Sequence, residues 1–555
     1  MSDKQISVFQ WRHPQLIESG GDTYPWIVLC VISLLLVLGM FSVVSTSVAD
    51  SVIRGHFSLS ESVNTWVNTT TLLTLVAVVP LSEFFAQRLG YKMILFLGAS
   101  LFTLGLLISG LSVNIGMLIG SRVVTGLGMG LYMPISIGIL AMAFPSRKLP
   151  IAFALYSAIG FGGGLAGAFY FGGLFAQYYS WHWVFFASVF VGIICILVIL
   201  LVLQETESTG KKKFDTWGYI CYVCWICSIL VIVASAKSPW NTEGWSSPFM
   251  KTFYTIGATS FILFTIIELR TETPLFDIRL FKIRAFILGN ILLFLVGAVY
   301  FATAQLMPSM LQKLLHYSKY KSGIYMIPHG VFLGLSSAVI GLFSKQAGIR
   351  IPVLAGCVIL AISCFMQYYF SVYSDHKYVV GLLVFRGLGV GLSIGPVTAL
   401  ALRRVPKEHM PNASMIITLS RQLGAAIATS VLEIFQVQRG TFHRARFFEQ
   451  LGRKTPEYLE TVNRLQNHMV TKYGLSQDVA QSEAKGAVVQ LVSNQAALAG
   501  INDGYIVFGI ALSVLTIIVA SVMIIAKLKG EVVDTHYISE RDKKQMKVLS
   551  KNKFD

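Results

Sequence analysis

Charge is what this chain has least of. Lysine, arginine, aspartate and glutamate make up 13% of its 555 residues, while apolar side chains make up 54%. A soluble domain carries about a quarter charged residues, so this shortage, with a mean hydropathy of +0.66, excludes a water-soluble enzyme. Cysteine is sparse too, seven in all and scattered through apolar stretches. Cys221, Cys224 and Cys227 share one helix face, but no His, Asp or Glu stands beside them, so buried thiols are expected there, not a metal centre or a disulfide. No G-x-x-x-x-G-K-[ST] phosphate loop is present, which removes a nucleotide-driven pump. Neither a Ser/His/Asp arrangement nor zinc-ligand spacing occurs within the apolar runs, so no catalysis, cofactor or metal is expected. The first apolar run is too long for a cleavable signal and has no small-residue cleavage pattern after it.

What is present is length of the right kind. Runs of about 20 apolar residues, each long enough to cross a bilayer as a helix, recur fourteen times between Ile27 and Ile525. The loops alternate in charge. One set holds Arg88, Lys92, Arg147, Lys148, Lys211, Lys212 and Lys213 among others, and the opposite set is poorer in base. The positive-inside rule then places both termini in the cytoplasm. The net charge of +17 is accounted for by loops and a basic tail lying beside anionic lipid headgroups, so membrane lipid is the expected partner and nucleic acid is not.

The chain also repeats itself. Gly126-Leu-Gly128-Met-Gly130-Leu returns 261 residues later as Gly387-Leu-Gly389-Val-Gly391-Leu. The stretch Phe84 to Lys92, with Arg88 and Gly90, has an echo 258 residues on, from Leu342 to Arg350. Two echoes at nearly one spacing indicate a duplicated membrane unit, the build of secondary transporters that hold a small-molecule substrate between halves.

Several ordered motifs carry a family likeness: Leu118-Ile119-Gly-Ser-Arg122-Val-Val-Thr-Gly126; Trp181-His-Trp183-Val-Phe185-Phe186; Pro274-Leu-Phe-Asp277-Ile-Arg279; Leu306-Met-Pro308-Ser-Met-Leu311-Gln312; Ser420-Arg421-Gln422-Leu423-Gly424; and Asn494-Gln495-Ala496 followed by Asp503. From Ile27 to Ile525 the chain resembles the fourteen-spanner drug:proton antiporter branch of the major facilitator superfamily (EmrB/QacA type). The resemblance implies an all-α integral membrane fold of two six-helix halves with two helices inserted between them. The expected division is a cytoplasmic tail at 1–26, a first half at 27–203, the inserted helices and linkers at 204–285, a second half at 286–525 that contains an outer loop at 438–502, and a basic cytoplasmic tail at 526–555. It also implies a bacterial inner-membrane exporter, most simply of drugs or amphiphilic molecules against protons. The chain departs from the pattern at several places. Ser42 and Ser47 stand where the family's first helix carries Asp and Asn. Glu83 and Gln87 replace Gly and Asp in the motif after the second helix, and Ala168-Phe169 stands where a Gly-Pro pair precedes Gly172-Gly173. These changes keep open an exporter of a specific anionic metabolite or siderophore and, in another class, an uncoupled transporter-like receptor or scaffold.

Residues able to carry transport are few. A guanidinium inside the bilayer costs several kcal/mol, so Arg122 is expected to face a cavity or a partner, for function or as a tie to carbonyls of the first helix. Arg386 and Arg421 are read as lying nearer helix ends or interfaces, where long side chains snorkel or bind the inner gate, and Arg421 also stands with Arg122 among the candidates for substrate or coupling. Proton carriers are limited to Asp50, Glu433, His329 and Glu83. Of these, Glu433 is expected to reach the outer interface and His329 to bind carbonyls freed at the Pro328 kink. Glu83 is expected to pair with Arg88 in an inner gate that includes Gly90 and Lys92. Gly126, Gly128, Gly130, Gly164, Gly172 and Gly173 are small-residue packing positions where helices approach and slide. The long loop at 438–502 reads as about two amphipathic helices. The resemblance implies a membrane-fusion adaptor and an outer-membrane channel beyond it, with Phe447, Phe448, Tyr458 and Leu465 as docking anchors or, alternatively, as the inside of a self-packed lid.

Overall fold

A computed structural model describes residues 23–528, apart from 146–147, 205–213, 236–240, 242, 272–273, 348–349, 407–408 and 452–455. Almost all of the two expected tails lies outside the described residues. So do Arg147 and the Lys211–Lys213 run.

Fourteen helices are long and apolar enough to cross a membrane. In hydrocarbon every backbone N–H and C=O must be satisfied within its own segment, so an apolar run of this length has the helix as its only open choice. The first six are Tyr24–Val48, Glu61–Leu89, Tyr91–Gly110, Ile115–Ala143, Leu149–Tyr178 and Trp183–Val202. The seventh and eighth are Thr216–Ser235 and Pro248–Arg270. The last six are Arg284–Lys313, Lys319–Ala347, Arg350–Met366, His376–Leu402, Met410–Leu451 and Gln477–Leu528. Side-chain caps start several of them: Asn114 accepts from Met117 N at 2.8 Å and Ser247 from Met250 N at 3.2 Å, each satisfying an orphan donor of the first turn.

The glycine repeat has a structural meaning. A Cβ on Gly126 or Gly130 would lie 2.6 or 2.7 Å from the carbonyls of Thr71 and Leu75 in the second span, and one on Gly128 would lie 2.3 Å from Phe102 N in the third. In the second copy, Gly387 and Gly391 meet the carbonyls of His329 and Leu333 in the tenth span at 2.4 and 2.3 Å, and Gly389 meets Leu360 N in the eleventh at 2.7 Å. The fourth span thus seats on the second and third as the twelfth seats on the tenth and eleventh. The duplication seen in the letters is a duplication of packing. It also makes Gly126, Gly128 and Gly130 static contacts within one half.

Between the halves the fifth and tenth spans run side by side. A Cβ on Gly162 would lie 2.5 Å from Gly334 Cα, one on Gly330 2.5 Å from Ala166 N, and one on Gly173 3.0 Å from the Lys319 carbonyl. Gly164 and Gly172 lie on another face of the fifth span, against Met40 and Ser45 of the first. Such small-sided seams let two backbones approach and shift without unlocking side chains. The seventh span leans on the second through Tyr219 and Tyr222, whose hydroxyls donate to Ala77 O at 3.2 Å and Val76 O at 2.9 Å. Only 11% of the eighth span's apolar window is buried, so its outward side chains, Ile262 and Leu263 among them, suit lipid.

The segment 438–502 is largely an extension of the membrane helices. The thirteenth span continues to Leu451, the fourteenth begins at Gln477, and one separate helix, Pro456–Tyr473, lies between them. Val462, Ala484, Val488 and Val492 form a small core of their own, with Phe447, Tyr458, Leu465 and Met469 packed against it. Three of the four expected anchors are therefore turned inward, and only Phe448, 38% accessible, stays exposed. Asp503 clamps the base of this hairpin, accepting from Arg439 Nε at 2.7 Å and pairing with His443 Nε2 at 2.9 Å.

A cavity between the halves

A cavity of about 260 Å³ opens between the halves toward the end of the bundle that bears the hairpin. Its wall includes Ser47 and Asp50, Asn64 and Asn68, Leu230, Gln305 and Lys313, and Ala426 and Glu433, drawn from both halves and from the seventh span. The two carboxylates in that wall, Asp50 and Glu433, lie 383 positions apart in sequence and come from opposite halves. Asp50 opens a short helix, Asp50–His56, directly after the first span, and Asn64 Nδ2 donates to it. Glu433 was expected at the outer interface. It is half-buried in the cavity wall instead, because the thirteenth span runs on past it into the hairpin.

Below the cavity floor the halves meet through soft contacts. Ala426, in the wall, is five residues from Arg421, about 7.5 Å along a helix at 1.5 Å per residue. Arg421 is 1% accessible and its guanidinium carbon lies 5.0 Å from the Phe161 ring of the fifth span. Neither Nε nor Nη2 finds a hydrogen-bond partner. Phe161 stands edge-on to Tyr300 at 5.6 Å and to Tyr156 at 6.4 Å. Gln422 Nε2 donates to Met133 Sδ at 3.4 Å, and the Tyr300 hydroxyl to Met40 Sδ at 3.7 Å. Thioether acceptors and ring faces hold weakly, so these links between the halves are cheap to exchange. Phe161 owes its place to a π-helical turn, Ala158–Gly163, a device found often at functional sites.

The arginines sort differently from the sequence expectation. Snorkelling fails for both Arg386 and Arg421, which lie deep enough in their helices to be fully enclosed. Arg386 is 0% accessible, stacks 4.4 Å from the Tyr505 ring, and donates to the Ser363 carbonyl at 3.0 Å, Gln367 Oε1 at 3.2 Å, Thr303 Oγ1 at 3.3 Å and Ser363 Oγ at 3.4 Å. It is a bolt inside the second half. Arg122 does not line the cavity. It sits over Phe185 of the sixth span at 4.4 Å, inside the first half, with Nε and Nη2 unpartnered. His329 is fully buried, and neither ring nitrogen meets a partner in hydrogen-bond geometry. The tie to carbonyls freed by Pro328 is not made, and the ring instead stands 6.2 Å from Tyr300.

At the opposite, basic end, Glu83 accepts from Gln87 Nε2 at 2.7 Å and from the Tyr91 hydroxyl at 3.2 Å, while Arg88 lies over Phe84 at 4.8 Å. The carboxylate is met by Gln87, one turn on in the same helix, and by Tyr91, which the Gly90 turn returns to it at the start of the third span, and not by the expected Arg88. Gly90 joins the second and third spans at φ +92°, a conformation that excludes ordinary side chains. Lys92 Nζ caps the sixth span by donating to Leu200 O at 2.9 Å, where the helix end is negative. Asp277 and His409 pair at 2.8 Å on this side. Burial pulls the Asp277 carboxyl up, but the His409 bond and the charges of His409 and Arg279 outweigh it and hold it below its ordinary value.

Sequence reasoning did not single out Gln305, Gln422, Tyr300 or the ring of Phe161. The glycine run from Gly160 to Gly164 was the one available signal for the π-turn, and it reads equally as plain packing.

The fold is shared with known proteins. The Major Facilitator Superfamily family model matches residues 30–429, and the chain belongs to that superfamily. Over 460 residues it is 26% identical to the multidrug export protein EmrB of Escherichia coli (strain K12), covering 82% of this chain and 87% of that protein. It is 26% identical over 406 residues to the lincomycin resistance protein LmrB of Bacillus subtilis (strain 168), covering 72% and 84%. Among solved structures it is similar to the proton:xylose symporter XylE, with a TM-score of 0.55, 15% identity and 77% and 91% of the two chains covered. It is also similar to a bacterial homolog of the human lysosomal transporter Spinster, with a TM-score of 0.53, 14% identity and 90% and 98% covered. These likenesses establish the fold. The chain is a multi-pass membrane transporter with fourteen spans, as its apolar runs and duplicated glycines indicated.

Proposed function

We propose that this chain exports drugs and other amphiphilic small molecules from the bacterial cytoplasm across the inner membrane, driven by inward proton flow and working by alternating access. Both termini and the basic end face the cytoplasm in this reading, and the hairpin faces outward. The observation that carries it is the cavity between the halves, whose wall takes Asp50 from one half and Glu433 from the other, above a seam of weak, exchangeable contacts. A proton taken up at Glu433, with Asp50 in the facing wall, then biases the rocking of the halves. The relatives that are multidrug and lincomycin resistance proteins support the cargo class. Inverted membrane vesicles given a proton gradient should take up an amphiphilic dye such as Hoechst 33342 and lose it when the gradient is collapsed. Uptake indifferent to the gradient rules out coupling, and no uptake of any amphiphile leaves a receptor or scaffold.

Docking of a membrane-fusion adaptor, with an outer-membrane channel beyond it, rests on what the hairpin leaves outside: Phe448 and Phe442, 38% and 49% accessible. Replacing both with Ala should reduce recovery of a co-expressed adaptor several-fold without changing the yield of the transporter. Unchanged recovery removes the hairpin as the docking surface.

A further inference from the structure

We infer that the seat beneath the cavity, built around Arg421, takes the anionic group of an amphiphilic aromatic cargo, a carboxylate or its like. The inference rests on the cavity between the halves being the cargo route and adds the charge class of what it carries.

Three observations converge on it. The first is an unmet charge. Arg421 is 1% accessible, its Nε and Nη2 have no acceptor, and among the described residues no carboxylate pairs with it. A buried guanidinium with neither counter-ion nor acceptor is costly to keep, so an arriving anion gains what the resting protein forgoes. The second is a further unmet donor on the cavity side: Gln305 Nε2, in the cavity wall five residues along the ninth span from Tyr300, has no partner, while Gln422 Oε1, next to Arg421 in sequence, is an unmet acceptor. Unmet donors of this kind call for acceptor oxygens. The third is the apolar surround. Phe161, Tyr300 and Tyr156 form a chain of edge-on rings beneath the guanidinium, a surface for an aromatic body.

Arg386 supplies the internal contrast. It is equally buried, yet four bonds to Ser363, Gln367 and Thr303 satisfy it. Arg122 is as poorly met as Arg421, with Nε and Nη2 unpartnered, but it sits over Phe185 within the first half and away from the cavity; Arg421 combines unmet donors with a place five residues below the cavity-wall residue Ala426. The acids do not compete for this seat. Glu433 is twelve residues along the same helix, about 18 Å away at 1.5 Å per residue, so proton site and anion seat are separate stations, with the acids on the side where the proposed export releases cargo.

The test compares three probes of one shape, 2-naphthoate, 2-naphthamide and 2-naphthyltrimethylammonium, by equilibrium binding to the full chain in neutral phosphatidylcholine nanodiscs. Wild-type protein should bind naphthoate about tenfold tighter than naphthamide, the worth of one charge-assisted hydrogen bond, and should bind the ammonium probe most weakly. Arg421→Met should remove that preference, bringing naphthoate down to the affinity of naphthamide or below, and Arg421→Lys should restore part of it, since lysine keeps the charge without the planar fork. A monodisperse elution profile and a thermal midpoint equal to wild type show that the Met variant is folded. Naphthoate binding no tighter than naphthamide in the wild type, or a preference that survives Arg421→Met, overturns the inference. Because no gradient is needed, failure here is distinct from failure of gradient-driven uptake, which would strike the export reading instead.

Discussion

Glu433→Gln abolishes gradient-driven accumulation of dye in inverted vesicles and leaves the protein in the membrane at wild-type level: this is the expected result. Gln fills the same volume in the cavity wall but cannot take up and release a proton. Coupling between two ligands is a free energy shared reciprocally by both sites, typically equivalent to about a 5- to 150-fold change in affinity. Removing the proton's station should therefore collapse the accumulation ratio by a factor in that range and make cargo binding insensitive to pH. Asp50→Asn tests the opposite wall, and its bond from Asn64 can persist while its charge and its proton are lost. Wild-type accumulation by Glu433→Gln would move coupling to another group. Equal loss of downhill exchange would mean that Glu433 holds cargo and not the proton.

Arg386→Ala should have the largest effect on folding. The substitution empties a fully buried volume and strands Gln367 Oε1, the Ser363 carbonyl and Thr303 Oγ1, each of which accepts from the guanidinium. Hydrogen bonds to charged groups contribute about 1.5–3 kcal/mol each, although losses within one network do not simply add. The damage also travels. Gln367 Nε2 donates to Asn502 Oδ1 at 3.2 Å, and Asn502 Nδ2 donates to Phe370 O at 2.8 Å, so the bolt reaches the base of the hairpin. Little monodisperse protein should survive extraction, and its thermal midpoint should fall well below wild type. A midpoint and yield equal to wild type would show that the network is dispensable. Arg421→Met should behave oppositely, folding well because nothing depends on its donors.

The fold was legible because the bilayer leaves few options. Once fourteen apolar runs were recognised, helices were obligatory, and the duplicated glycines marked where one helix must seat on two others. Asp50, Glu433 and Arg421 were also found as residue types out of place in an apolar run. Their partners were not found. Glu83 with Arg88, and His329 with carbonyls near Pro328, were assigned from proximity along the chain, whereas a charged side chain takes whichever donor or acceptor the packed helices bring within reach.

Identity and periodicity along one chain thus determined that this protein spans a membrane fourteen times, that it was built by duplication, and which residues are too polar for their surroundings. Tertiary structure alone decided which of those residues are satisfied. Arg386 and Arg421 look alike in sequence, each a lone arginine in an apolar helix. One is ringed by acceptors from the ninth and eleventh spans, and the other faces an aromatic ring with Nε and Nη2 unmet. Hydrogen bonds and ion pairs act over a few ångströms and depend on direction, so the difference between a bolt and a binding group resides in the arrangement of neighbouring helices and not in the letters of their own.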